Sequence, residues 1–128
     1  MSDNTPNDGI ETGPLPQDVL LGVENPEIID MITADPRSGE VVLRIIERRP
    51  WGSDPKQLAQ FDEKLNRYLA YVLDGFLVRH YPQYAGKPVR IEIACAEQPT
   101  DERVLRFFEG VEMVCEGNDV GLSMRVEA

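Results

Sequence analysis

His80 is the only histidine in the 128-residue chain, so any nucleophile-base-acid arrangement would have to run through this one imidazole, and multi-histidine metal sites are excluded. The two cysteines, Cys95 and Cys115, form no CxxC pair and have no neighbouring histidine, so neither a zinc site nor a redox dithiol is indicated; both read as reduced, buried thiols. No Ser or Cys stands at a glycine-rich elbow. The carboxylates that could work in pairs, Asp62, Glu63, Glu92 and Glu97, fall at positions that helical phase or strand alternation turns toward solvent. Gly9, Gly13 and Gly22 do not join a strand to a helix as a phosphate cradle requires, and "GSDP" places an acid at a helix start, where it caps the helix from within. The sequence therefore assigns no catalytic residue, no cofactor and no metal.

Recognition chemistry is better represented. The stretch "ERRPWGSDPKQ", Glu47 to Gln57, holds the only tryptophan, and Trp51, Tyr68, Tyr71, Tyr81 and Tyr84 gather at the beginning, outer face and exit of one long helix. Arg48, Arg49 and Arg67 lie beside them, and aromatic and arginine side chains are the usual anchors of protein interfaces. The candidate interaction surface is Arg48, Arg49, Trp51, Arg67, Tyr71, His80, Tyr81 and Tyr84. Trp51 itself, three residues before the expected cap Asp54, is placed to fold back over Leu58 as a hydrophobic staple. That leaves Arg48 and Arg49 as an exposed basic pair beside a fixed ring.

The elements that must position these groups follow from periodicity. Ile28 to Thr33 reads as a strand ending at the turn "DPRSGE", and Glu40 to Glu47 as a second, central strand. Asp54, Pro55 and Gln57 open a helix whose stripe is Leu58, Phe61, Leu65, Tyr68, Leu69 and Val72, stopped by Gly75. Val89, Ile91, Ile93 and Cys95 alternate with polar or small residues in a third strand. Thr100 is the expected cap of a second helix with Val104, Phe107, Phe108, Val111, Val114 and Cys115 on its stripe, interrupted by Gly110, and Leu122, Met124 and Val126 line a last strand. The ββαβαβ order predicts an α+β two-layer sandwich: a four-stranded mixed sheet with two helices packed on one face.

Composition bounds the rest. A chain of this length supports a single core, and 13 Lys and Arg against 23 Asp and Glu give a net charge of −10, which repels phosphate backbones and anionic lipid, so no nucleic-acid or membrane partner is expected. Residues 1–21 are acidic and proline-broken and read as a disordered or loosely docked tail before a single domain over 22–128. The start lacks a signal-peptide pattern and no apolar run is long enough to span a bilayer, which points to the cytoplasm.

Three segments together, "VENPEIIDMI", "GEVVL" leading to Trp51, and "KLNRYLAYVLDG" followed by "YPQYAGKPVRIEI", resemble a family of small bacterial proteins catalogued only as a domain of unknown function. The likeness runs from about residue 22 to the C-terminus. It implies a fold compatible with the one above and no established activity.

Two functional expectations follow. The first is a non-enzymatic protein-interaction module that meets a protein partner or a second copy of itself through its sheet face or an edge strand, because Val42, Ile46, Ile28 and Ile32 put apolar groups opposite the helices. The second is a small-molecule binder or weak hydrolase with a pocket near Trp51, His80 and Tyr84.

Overall fold

The computed structural model describes residues 22–25 and 28–127; the expected tail, 1–21, lies outside the described residues. The elements run β1 (Met31–Ala34), β2 (Val41–Glu47), α1 (Gln57–Leu73), α2 (Phe76–His80), a 3₁₀ turn (Pro82–Tyr84), β3 (Val89–Cys95), α3 (Glu102–Gly117) and β4 (Val120–Val126). The strands stand in chain order, β1-β2-β3-β4. β1 pairs antiparallel with β2, and β3 lies parallel to both β2 and β4. This is the expected α+β arrangement of a four-stranded mixed sheet, with a short extra helix and turn in "FLVRHYPQY".

Alternation decides which side of the sheet is the core. Val41, Leu43 and Ile45 of β2, Ile91, Ile93 and Cys95 of β3, and Val120 of β4 are buried in one cluster with Phe61, Leu65, Tyr68 and Leu69 of α1 and Val104, Phe108 and Cys115 of α3. Both long helices therefore cover the same face. Each follows one parallel strand and precedes the next, so each runs back against the strands and the two are parallel to one another. Their N-termini share one end of the molecule and their C-termini the other.

Local chemistry moves several boundaries. The β1–β2 turn closes through Asp35, whose Oδ1 accepts from the Arg37 backbone N–H at 2.8 Å while its own N–H donates to the Glu40 carbonyl at 2.8 Å. This turn sets Met31 opposite Arg44 and Ile32 opposite Leu43. α3 is capped by Asp101, which accepts from the Arg103 N–H at 2.7 Å, and not by Thr100. α1 begins at Gln57 rather than Pro55, because Asp54 bonds the Lys56 N–H in a turn before the helix. Gly75 ends α1 in the left-handed region at φ 87°, as its position requires.

The sheet side away from the helices is not the apolar patch expected. The register places Ile32 on the helix side, where it packs against the core, because a shift of one residue exchanges the faces of a strand. On the far side Arg44 grips Glu92 at 2.8 Å, and Arg90 bridges Glu92 and Glu40, both at 3.2 Å. Val42, Glu92 and Ala94 are buried on that side. A layer of ion pairs stands where an apolar docking surface was anticipated.

Candidate interaction surface

The β2–α1 connection is built around a buried carboxylate. Glu47, the last residue of β2, is nearly inaccessible and accepts from Arg49 Nε at 2.9 Å, Arg49 Nη2 at 2.7 Å and the Arg49 backbone N–H at 2.9 Å. These hydrogen bonds hold the Arg49 proton more tightly than in a free guanidinium. Arg49 also reaches Asp54 at 3.2 Å. Gln57, expected as a capping-box residue, is buried instead: its amide donates to Glu47 and to the Pro50 carbonyl and accepts from the Gly52 N–H at 2.8 Å. Arg49 is thus a structural clasp, and Arg48 alone of the basic pair is exposed without a side-chain partner among the described residues.

Trp51 is half-buried. It stacks on Phe61 with ring centroids 5.5 Å apart and meets Phe108 edge-on at 5.5 Å, while its indole N–H donates to the Glu97 carbonyl at 2.7 Å. The ring closes the core between the two helices, over Phe61 and Phe108.

The other candidate residues lie at the far end. Tyr71 donates to or accepts from His80 Nδ1 at 2.9 Å and stacks on Phe76, and Tyr81 stacks on Tyr84. Burial, and then the neighbouring Tyr81, push the Tyr71 hydroxyl pKa up. Arg67, on the outer side of α1, lies 3.9 Å from Glu63. Trp51 packs beyond the C-terminal end of β3, beside Glu97, whereas Tyr84 precedes its N-terminal end. The seven residues of β3 separate the two by about 23 Å. The structure does not bring Trp51, His80 and Tyr84 to one pocket. Among the described residues no three His, Cys, Asp or Glu side chains gather around a position for one metal ion.

Sequence reasoning missed a buried ionic core. Lys64 is fully inaccessible, and its ammonium donates to Asp30 Oδ1 and the Asn25 carbonyl, both at 2.8 Å, and to the Gly22 carbonyl. Burial pushes the Lys64 pKa down against the pull of Asp30. Asp30 also accepts from the Gly22 N–H at 3.0 Å and the Ile46 N–H at 2.9 Å. Tyr68 completes the group, accepting from the Asp30 N–H at 2.8 Å and donating to the Arg44 carbonyl at 2.6 Å. A signal existed, since Lys64 falls between Phe61 and Tyr68 on the stripe of α1. Among the described residues every donor and acceptor of this group is satisfied internally, so the network fixes the approach of residues 22–25 and 28–30 and offers nothing to a ligand.

Sequence reasoning also missed the groove between the helices. Asp62, Leu65, Asn66 and Leu69 of α1 face Phe107, Gly110, Val111 and Val114 of α3 across a cavity of about 240 Å³. Val114, expected in the core, is 53% exposed there, with Met113 at 72% and Leu73 at 52% beside it. Gly110 weakens the helix by about 1 kcal/mol relative to alanine. A Cβ built on it would meet no other side chain and no backbone of another segment within 4 Å, so nothing within the described fold requires a glycine. Chemically the groove offers apolar walls and a polar rim of Asp62 and Asn66, and it can bury a side chain of a partner.

No helix among the described residues is long and apolar enough to cross a membrane. No curated protein and no solved structure matches the chain. The model of the family of unknown function DUF6572 matches residues 21–128, which bears out the resemblance carried by the segments before and after Trp51, and the chain belongs to that family.

Proposed function

We propose that the protein is a non-enzymatic interaction module of the cytoplasm that docks a protein partner through the groove between α1 and α3, and not through its sheet face. The observation that carries this reading is the exposure of Val114 in the wall of an apolar cavity, with Leu73 and Met113 exposed on the same two helices. Contiguous apolar surface of this kind is covered by a partner in most soluble proteins that display it. The sheet side, by contrast, is screened by Arg44, Arg90, Glu92 and Glu40. The buried free thiols of Cys95 and Cys115, whose pKa values burial raises, support a reducing compartment.

A photo-crosslinking residue placed at the exposed rim position Asn66, and separately at Thr33 on the sheet side, tests the reading in cells. The expected result is a discrete cross-linked product from position 66 and none from position 33. No product at 66, or equal products from both, would refute it.

A further inference from the structure

We infer that the occupant of the groove is a second copy of this chain, related by a two-fold axis beside Gly110, with the two α3 helices crossing antiparallel; the inference rests on the interaction reading above.

Three observations bear on it independently. The first is position. α3 runs Glu102–Gly117, and Gly110 sits close to its midpoint, so an axis there superposes the whole helix on its own mate. A glycine at a helix crossing lets two backbones approach closely, and the described fold gives Gly110 no steric reason of its own.

The second is shape. Arg103, Arg106, Phe107, Gly110, Met113 and Val114 recur at three- and four-residue spacing on the side of α3 away from the sheet and toward α1. In the antiparallel arrangement Met113 of the second copy comes level with Phe107 and Asn66 of the first, at the cavity. A flexible thioether suits an apolar hole walled by an aromatic ring. Both copies contribute the same projection and the same hole, as a two-fold contact demands.

The third is charge. Arg103 and Arg106 lie near the N-terminal end of α3, and neither α1 nor α3 carries a basic residue in its last turn. The two helices end side by side at the negative poles of their dipoles, and Asp74 adds a carboxylate there. Antiparallel pairing carries Arg103 and Arg106 of one copy to that acidic end of the other. The Arg106–Glu102 pair that must loosen is exposed and holds the guanidinium only weakly.

Sedimentation of the purified full chain from micromolar to millimolar concentration tests the inference. The expected species is a dimer. Gly110→Phe raises the dissociation constant by about a hundredfold with an unchanged circular dichroism spectrum. Arg103→Glu/Arg106→Glu and Asp74→Lys are each monomeric alone, and mixing the two restores a heterodimer, because both ends of that pair are then of opposite sign. A monomer at millimolar concentration, a dimer indifferent to Gly110→Phe, or no heterodimer on mixing would overturn the second copy as occupant. The crosslink at position 66 separates the two levels: a product of a mass other than twice the chain's rejects the dimer and leaves the interaction reading standing, whereas no product rejects both.

Discussion

Replacing Lys64 by methionine tests the buried ionic core, and its cost can be worked from the contacts. Methionine preserves the unbranched stem and most of the volume, so packing against Phe61 and Tyr68 changes little. What disappears is the ammonium and its bonds to Gly22, Asn25 and Asp30. Asp30 keeps two backbone donors, from Gly22 and Ile46, but loses its counter-charge in a site where both side chains are inaccessible. Breaking a buried pair from one side costs about 3–5 kcal/mol, and each abandoned carbonyl adds about 1–3 kcal/mol unless water enters. With water reaching the two freed carbonyls, a loss of about 4 kcal/mol is expected, a large fraction of the roughly 5–15 kcal/mol that holds an ordinary domain folded. Urea denaturation followed by Trp51 fluorescence measures it. The double variant Lys64→Met/Asp30→Asn should cost clearly less than the sum of the single variants, since the second change removes the charge stranded by the first. A loss under about 1 kcal/mol for Lys64→Met, or strict additivity in the double variant, would refute the placement of this pair in a dry interior.

Other substitutions probe separate claims. Trp51→Ala should destabilise by about 3 kcal/mol, because the ring spans Phe61 and Phe108; a loss below about 1 kcal/mol in urea denaturation followed by circular dichroism, since this variant has no tryptophan left to report, would mean an exposed ring. Asp101→Ala should cost about 1 kcal/mol and Thr100→Ala less than about half of that, and the reverse order in thermal melts would reassign the α3 cap. Burial holds the Tyr68 hydroxyl pKa well above its ordinary value of 10.0. Above pH 10 the unfolded chain therefore releases a proton that the folded chain keeps, and this lowers stability by up to about 1.4 kcal/mol per pH unit. Lys64, with its lowered pKa, acts in the opposite direction near the same pH, so the quantity to measure is the difference in slope between wild type and Tyr68→Phe. Equal slopes would show that Tyr68 titrates freely.

Elements with strong period and plain punctuation were legible in the sequence: the stripe of α1 with Gly75 after it, the alternation of β3, and the order that builds the mixed sheet. What escaped depended on pairing across distance. The far side of the sheet was misread because the Asp35 turn sets a register one residue from the one that would have turned Ile32 outward. Lys64 stood on an apolar stripe, yet its burial needs the carbonyls of Gly22 and Asn25, some forty positions earlier, and no local pattern announces them. The aromatic and arginine residues were gathered as one surface because they flank one helix. A helix of 17 residues is about 25 Å long, and that length alone parts Trp51 and Arg49 from Tyr71 and His80. Helical phase assigns Val114 to the core, and it is exposed, because phase gives the direction of a side chain but not where the neighbouring helix ends its cover.

β1 shields only the first part of β2, Val41 to Arg44. Beyond it the main-chain groups of Ile46 are taken by the Asp30 carboxylate and the Val23 N–H, and the Arg44 carbonyl by Tyr68. A side chain and a loop thus occupy positions that a foreign strand would need in order to add itself to this flank. The ionic core therefore has a second role, as a stop against templated β-aggregation, and variants that dissolve it should form fibrils as well as unfold.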